Sequence, residues 1–525
     1  MTTSVPRRRI LYAFGMAPLL VACAPIAPGG GGSGAGPVTA SNDQLDPEAV
    51  LRYADTSSPS RFDPHRSTVG QDIRFFTPVY DRLVHLSPDG QPIPGLATSW
   101  TWEEDGRALR MELRQGVRFH DGTPFDAEAV RANVERGKTV PGTSVGTDLA
   151  NVESVEVAGP STVVLRLSQP TAMLPGLLSH RAGAMVSPAA FADPDLDLRP
   201  VGTGMYRVTD YQPNNVIVYE RNPDYWDDTV VGVRRLELRI LTDEVTRMNA
   251  LRTGEVDIAL LNGRLGEEAR GLPGVTVHQK VTLAYAGLLL NRARSQFADV
   301  RVRRAMNLAI DRPAIVAGVY FGAGEATVQP FPSTYYAHNP DFPADHYARD
   351  LARARALLAE AGHPNGFDFE MLVPSLTAFV QLAEAMQRML AEVGIRARLR
   401  SVEVAQAGDV FYSQRDGDSL IAQWGGRPDP SMTIGLQYMP GGFANPGAHT
   451  TARLEELQRR ALSTLDRQER EAAVREASGE IADQALDVPV IVEATTYATT
   501  ERVANFSTLV TGQPDFRTLG ALRTP

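Results

Sequence analysis

Residues 423–430, with the sequence QWGGRPDP, decide how the rest of the chain is interpreted. A bulky aromatic residue, two adjacent glycines and a charged turn between two prolines disfavour both a helix and the interior of a strand. The same residues suit a loop whose backbone approaches a ligand closely. We therefore predict that Trp424, Gly425 and Gly426 line a cleft between two lobes. The alternative is a surface turn with a core tryptophan behind it.

Length, composition and charge set the class of protein. The chain has 525 residues, enough for two or three domains, because single hydrophobic cores stop growing at about 250–300 residues. The hydrophobic content of 43% and the charged content of 22% are typical of a globular protein. A net charge of −10 argues against nucleic acid as a partner, because phosphate binding needs a concentrated basic face.

The N-terminus has the features of an export signal. Three arginines at 7–9 precede an apolar run at 10–22, which is too short to span a hydrocarbon core of about 30 Å. We predict that residues 1–22 are a signal peptide. The arginines also resemble a twin-arginine signal, so the export route stays open.

The apolar run ends in Leu-Val-Ala-Cys at 20–23, which resembles a bacterial lipobox, in which the cysteine carries the lipid. Cys23 is the only cysteine of the chain and cannot form an internal disulfide. We predict lipidation of Cys23, followed by a flexible Pro/Gly/Ser-rich tether over 23–46. The folded body would then lie outside the cytoplasm, anchored by lipid to the outer face of the cytoplasmic membrane.

The body of the chain alternates between β-rich and α/β patterns. Period-2 alternation at 109–119 and two apolar runs at 152–167 predict β-hairpins. A strand–helix–strand pattern at 236–260 and a second one at 367–401 predict two α/β units. A short apolar strand is predicted at 488–493. The pattern indicates two α/β lobes with a β-rich insertion and a cleft between the lobes.

Four groups of segments, in order along the chain, resemble one protein family. They are YDRL at 80–83 with PGLATSW at 94–100 and LRQGVRFHDGTP at 113–124, GTGMY at 202–206 with ERNPDYW at 220–226, DVRVRRA at 299–305 with AIDR at 309–312, and QWGGRPDP at 423–430. Together they resemble the extracytoplasmic substrate-binding proteins of peptide-type ABC importers, solute-binding family 5, which includes oligopeptide, dipeptide and nickel binders.

The resemblance implies a bilobal α/β fold of the periplasmic-binding-protein type (type II), with an extra β-rich domain inserted in the first lobe. Domain I would comprise 47–88, 200–298 and 488–525, domain II 89–199, and domain III 299–487. A peptide or peptide-like solute would be captured between hinged lobes and passed to the permease and ATPase subunits of the importer. The resemblance implies no catalysis, no cofactor and no resident metal.

The resemblance also suggests ligand-binding residues. In peptide-binding relatives the loop equivalent to 423–430 lies against the ligand backbone, which binds like an added strand. Outside this loop, we expect an early loop and the approach to the interdomain crossing to contribute. Those candidates are Val69, Gly70, Asp72 and Tyr285, and for Tyr285 the alternative is ordinary packing beside the hinge.

Arg427 departs from the family pattern. Peptide-binding members carry an aspartate near this position that pairs with the ligand ammonium, whereas here Arg427 fills the nearest slot and Asp429 is the only acid nearby. A guanidinium favours a carboxylate or phosphate. We therefore expect Arg427 and Asp429 at a site for a solute with an anionic group, such as an N-blocked peptide or an opine-like conjugate. The alternative is that Arg427 faces solvent or pairs with Asp429.

Two other functions are weighed against this one. A secreted hydrolase would need a nucleophile and a base, and the G-x-S-x-G match at 142–146 has no apolar strand before it. The nine histidines form no H-x-x-x-H pair, so no metal site is predicted. A sensory or scaffold lipoprotein that reuses the fold without transport is the second alternative.

Overall fold

The computed structural model of the chain describes Met1 and residues 36–523. The predicted signal peptide, Cys23 and the first part of the tether lie outside the described residues. Within the described residues, no helix is both long and apolar enough to cross a membrane.

The strands and helices follow the expected alternation. The strands are β1 (Val50–Asp55), β2 (Val84–Leu86), β3 (Pro92–Pro94), β4 (Ala97–Glu103), β5 (Ala108–Leu113), β6 (Val152–Gly159), β7 (Thr162–Leu167), β8 (Tyr206–Gln212), β9 (Val216–Arg221), β10 (Arg235–Ile240), β11 (Ile258–Leu261), β12 (Val275–Leu290), β13 (Gly324–Ala326), β14 (Phe367–Pro374), β15 (Ile395–Val402), β16 (Ser419–Trp424), β17 (Val488–Thr500), β18 (Val503–Ala504) and β19 (Gly520–Ala521). The helices are α1 (Ile73–Phe76), α2 (Ala127–Thr139), α3 (Leu174–Leu177), α4 (Glu244–Arg252), α5 (Gly263–Ala269), α6 (Ser295–Ala298), α7 (Val300–Ala309), α8 (Arg312–Gly318), α9 (Leu351–Glu360), α10 (Thr377–Ala391), α11 (Val404–Gly408), α12 (Pro430–Tyr438), α13 (Ala452–Ser463) and α14 (Arg467–Asp483).

One sheet runs through both lobes. Its strand order is β15-β14-β16-β12-β17-β11-β1-β10-β9-β8, with β13 paired to β17. Strand β1 lies between β10 and β11 and is parallel to both, which fits the α/β unit expected at 236–260. Strands β14, β15 and β16 are likewise parallel, as expected for a second α/β unit. The bilobal α/β fold is confirmed.

Strands β12 and β17 cross from one lobe to the other as an antiparallel pair. Residues 275–281 pair with 494–500, and residues 285–288 pair with 488–492. A register shift separates Val281 from Tyr285, so the ladder is interrupted where the chain passes between lobes. Of strand β17, sequence patterning located only residues 488–493, because the threonine-rich continuation at 494–500 lacks an apolar run.

The β-rich insertion is an antiparallel sheet covered by a helix. The strand order is β4-β5-β7-β6, and α2 packs on it with buried Val130 and Val134. Asp126 caps α2 by accepting a hydrogen bond from the Ala129 amide at 2.9 Å. The cap and the apolar face together dock the helix on the sheet.

Packing is continuous across the predicted domain boundaries and across the predicted end of the tether. One hydrophobic cluster contains Leu288, Val302 and Val490, so packing continues on both sides of the limits predicted at 298/299 and 487/488. At the N-terminus, the Asn505 amide donates to the Val38 carbonyl at 2.8 Å, and Leu45 is buried. Val38 and Leu45 therefore contact the folded body, and the domain and tether limits stay predictions.

Candidate ligand-binding cleft

A cleft of about 860 Å³ lies over the crossing of β12 and β17. One wall comes from the early loop and the start of α4, the floor from the crossing strands, and the other wall from the end of β16. The lining includes Thr56, Val69, Gly70, Gln71, Arg74, Glu244, Arg247, Asn262, Thr282, Ala284, Gln423, Gly425, Gly426, Glu493, Thr495, Thr511 and Gln513. The volume suits a small solute.

Four of the predicted residues line this cleft. Val69 and Gly70 face it from one side, and Gly425 and Gly426 face it from the other. We call residues 423–430 the cleft loop. The structure thus brings together the two loops that the sequence placed on opposite walls.

The two glycines of the cleft loop do different things. A Cβ atom added at Gly426 would lie 2.1 Å from the Leu283 Cβ, whereas one added at Gly425 would have no atom within 4 Å. Gly426 therefore lets the loop backbone lie directly on the crossing strand. Gly425 leaves open space on the cleft side.

Trp424 and Tyr285 face away from the cleft. They are paired partners on β16 and β12, so their side chains share a face, opposite to that of Gln423 and Gly425. The Trp424 indole donates to the Thr433 hydroxyl at 3.2 Å. The Tyr285 hydroxyl donates to Gln437 at 2.7 Å. The Trp424 ring thus supports the loop from behind and Tyr285 packs beside the crossing. Ligand contact by either residue stays a prediction.

The two predicted aspartates are buried and engaged by other side chains. Asp72 accepts hydrogen bonds from the Ser60 amide at 3.1 Å and the Ser67 hydroxyl at 2.6 Å, which holds the early loop in shape. Asp429 pairs with Arg470 at 2.6 Å and caps α12 by accepting from the Ser431 amide. The alternative that Arg427 pairs with Asp429 is therefore wrong. Ligand contact by either aspartate stays a prediction.

Arg427 is partly buried and directly follows Gly426, which lines the cleft. Its guanidinium carbon lies 5.6 Å from the centre of the Trp424 ring, a cation–π distance. The side chain therefore lies against the protein rather than extending freely into solvent.

The cleft contains polar groups that sequence patterning missed. Glu493 accepts a hydrogen bond from Gln423, and burial raises the pKa of its carboxyl group. The Thr511 hydroxyl and the Gln513 carbonyl oxygen are buried without a hydrogen-bond partner among residues 36–523. Glu493 had one sequence signal, an acid ending the apolar run VPVIVE at 488–493, whereas no pattern marks Thr511 or Gln513.

Two polar side chains from segments named above, His120 in LRQGVRFHDGTP and Ser144 in the G-x-S-x-G match, have structural contacts. The His120 ring is bonded to the Gly204 carbonyl at 2.9 Å, and burial lowers its pKa to about 4. The Ser144 hydroxyl donates to the backbone carbonyl of His65 at 3.2 Å, not to an imidazole. Across the described part of the chain, no group of three or more His, Cys, Asp or Glu side chains is placed to hold a metal ion.

Comparison with known proteins shows that the chain is similar to extracellular solute-binding proteins in sequence and in structure. Residues 91–445 match the family model described as bacterial extracellular solute-binding proteins, family 5 Middle. The glutathione-binding protein GsiB of Salmonella paratyphi A is 29% identical over 454 residues, which cover 81% of this chain and 86% of GsiB. The structure of HbpA2 from Haemophilus parasuis has a TM-score of 0.81 at 26% identity, covering 91% of this chain and all of HbpA2. DppA from Helicobacter pylori, solved with the peptide STSA, has a TM-score of 0.75 at 25% identity, covering 91% of this chain and 98% of DppA.

Proposed function

The chain belongs to family 5 of the bacterial extracellular solute-binding proteins, and from this premise we propose that its cleft captures a peptide or peptide-like small solute. It is the extracytoplasmic substrate-binding component of an ABC importer, and proteins of this class deliver their ligand to permease and ATPase partners. The relatives that it matches are binding proteins rather than enzymes.

The observation that carries the proposal is the cleft over the strand crossing. Its volume of about 860 Å³ lies within the usual range for small-molecule sites. The backbone at Gly425 and Gly426 is exposed to it without side chains, which suits main-chain hydrogen bonding to an extended ligand. The named relatives that bind glutathione and the peptide STSA support the same ligand class.

A finer part of the proposal concerns the charge of the ligand. Arg427 follows the two glycines of the cleft loop, and the nearest acid along the chain, Asp429, is paired with Arg470. A partly desolvated guanidinium attracts an anionic group and disfavours an ammonium beside it. We therefore expect a solute with a carboxylate or phosphate near the cleft loop.

Ligand capture would involve movement at the strand crossing. The register shift between Val281 and Tyr285 lies below the cleft loop, where Gly426 contacts Leu283. A ligand touching both walls favours the closed arrangement only by its differential affinity for that arrangement.

A lipid anchor on Cys23 completes the proposal. The anchor would keep the body outside the cytoplasm and close to the membrane-embedded permease. Replacement of this residue, Cys23→Ser, should release the protein from the membrane fraction and abolish labelling by a radioactive fatty acid. Unchanged labelling of the Cys23→Ser variant would contradict the anchor and leave the binding function intact.

A ligand screen tests the binding function. Thermal-shift measurements with di- and tripeptides, glutathione, opines and nickel chelates should show stabilisation by a peptide-like acid, because binding to the native state raises its stability by RT ln(1 + [L]/Kd). Titration calorimetry of the stabilising ligands, with the wild type and with an Arg427→Ala variant, tests whether Arg427 contributes to binding of an anionic group. Binding of free-amine peptides that survives Arg427→Ala unchanged contradicts the charge proposal, and no stabilisation by any member contradicts the function.

A further inference from the structure

The β-rich insertion touches the second lobe directly. The Ala172 amide donates a hydrogen bond to the Leu462 carbonyl oxygen at 2.9 Å. The Leu465 side chain lies so close to Gly106 that a Cβ atom added at this glycine would be 3.2 Å from Leu465 Cδ1. Met432 on α12 packs against the core of the insertion. The insertion is therefore joined to α12 and to the turn between α13 and α14.

The two surfaces in this contact belong to different lobes. The insertion is fixed to the first lobe, because Arg136 on α2 pairs with Asp63 at 2.6 Å. Helix α14 is fixed to the second lobe, because Arg303 on α7 donates to the carbonyl oxygen of Gln484, directly after α14, at 2.9 Å. Any separation of the lobes must therefore separate these two surfaces as well.

One segment of the insertion reaches both walls of the cleft. Arg181 donates a hydrogen bond from Nη2 to the carbonyl oxygen of Val69, a residue that lines the cleft from the first lobe. Gly176 in α3 lies against the cleft loop, since a Cβ atom added there would be 3.1 Å from the Asp429 Cβ. Residues 170–181 therefore connect one wall of the cleft to the other. We call this segment, together with Gly106, the clasp.

The contact between the insertion and the second lobe is not tightly sealed. A gap of about 220 Å³ lies within it, lined by the half-buried Trp100 and Trp102 of β4 and by Arg467 and Glu471 of α14. Arg467 pairs with Glu471 at 2.8 Å, so a charged pair borders the gap. Polar interfaces between domains resemble transient protein–protein interfaces, and relative motion across them is expected. The clasp can therefore form and break as the lobes move.

We propose that the clasp holds the two lobes in the closed arrangement and thereby sets the affinity of the cleft without touching the ligand. Its contacts exist only when the walls are together, so their free energy favours the closed arrangement alone. The apparent Kd of a ligand is its intrinsic Kd divided by the fraction of molecules in the binding-competent state. A weaker clasp should therefore weaken the binding of unlike ligands by the same factor. This role rests on the proposed function, because the clasp regulates the same cleft.

Variants on both sides of the clasp test the proposal. Leu465→Asp places a charge against Gly106 from the second lobe, and Gly176→Leu forces the insertion away from Asp429. Titration calorimetry with glutathione and with trialanine should show about tenfold weaker binding in each variant, the loss expected for one half-buried leucine contact. The factor should be the same for the two probes, because neither variant changes a residue that lines the cleft.

Controls separate the clasp from general effects. Leu198→Asp makes the same substitution at an insertion residue that is 47% exposed, and it should leave both affinities unchanged. Thermal midpoints check folding, and Leu465→Asp carries the test if the more buried Gly176→Leu fails to fold. Small-angle X-ray scattering of the ligand-free protein gives a second readout. Leu465→Asp should have a larger radius of gyration than the wild type, and Leu198→Asp should not.

The outcomes distinguish the clasp from the binding function. Wild-type affinity for both probes in Leu465→Asp overturns the clasp while the binding function stands. A loss confined to one probe also overturns it, because that result indicates a contact with the ligand itself. If neither probe binds to the wild type, the proposed peptide-binding function fails, and scattering decides the clasp alone. Equal radii of gyration for the wild type and Leu465→Asp would then overturn it.

Discussion

Asp429 and Arg427 lie two residues apart in the cleft loop and have opposite surroundings. The Asp429 carboxylate is 2% exposed, pairs with Arg470 at 2.6 Å and caps α12. The Arg427 guanidinium has a ring contact with Trp424 and no polar partner in the described chain. A buried charge with its partner holds the loop in place, whereas the partly buried charge without one is the position at which we propose that a ligand group binds.

The glycines of the loop show the same division. Gly426 lies against Leu283 so closely that no side chain fits, and Gly425 has free space around its Cα. The loop therefore has fixed positions at Trp424, Gly426 and Asp429 and open positions at Gly425 and Arg427. Substitutions at fixed positions should change stability, and substitutions at open positions should change binding.

The largest effect is expected from Asp429→Ala. It leaves Arg470, whose side chain is 14% exposed, without its carboxylate and removes the cap of α12. Breaking one partner of a buried pair costs about 3–5 kcal/mol of unfolding free energy. Urea unfolding followed by circular dichroism measures this. The double variant Asp429→Ala/Arg470→Ala should recover part of the loss, and a single-variant loss below about 1 kcal/mol would contradict the structural role.

Gly426→Ala should have the next largest effect. Its Cβ would lie 2.1 Å from that of Leu283, so the loop or β12 must shift, and overpacking of this kind costs about 1–3 kcal/mol. Gly425→Ala is the matched control, with a stability change within about 0.5 kcal/mol and weaker ligand binding. Equal destabilisation by the two variants would show that the two glycines have the same role.

Lowering the pH should reduce the free energy of unfolding through protonation of His180. Burial lowers the folded-state pKa of His180 well below the unfolded value of 6.5, so its neutral form contributes stability above about pH 6.5 that is lost as the pH falls. One such group adds a slope of about 1.4 kcal/mol per pH unit. Unfolding free energies at pH 7.5, 6.0 and 5.0 should therefore fall less steeply for His180→Gln than for the wild type. Parallel slopes would contradict burial of a neutral imidazole at His180.

Sequence patterns identified what depends on residue type and missed what depends on distant partners. The glycine and proline pattern predicted a loop at 423–430, of which residues 425–429 lie between β16 and α12, and the four groups of segments were enough to predict the fold. The pairing of Asp429 with Arg470, 41 residues away, depends on tertiary packing that no local pattern encodes. The length of the crossing strands was underestimated because residues 494–500 are mostly threonine, and their burial depends on the neighbouring strands on both edges.

The smallest stability effect is expected from Arg427→Gln, and it tests the comparison most directly. The substitution removes a cation–π contact worth about 0.5–1 kcal/mol, but it also relieves repulsion from Arg181 and the burial of an unpartnered Nε. These contributions oppose each other, so the unfolding free energy should change by about 0.5 kcal/mol or less, measured by urea unfolding beside Asp429→Ala. A loss of unfolding free energy above about 1 kcal/mol would show that Arg427, like Asp429, holds the loop. An arginine whose role is ligand binding should contribute little to the stability of the unliganded protein.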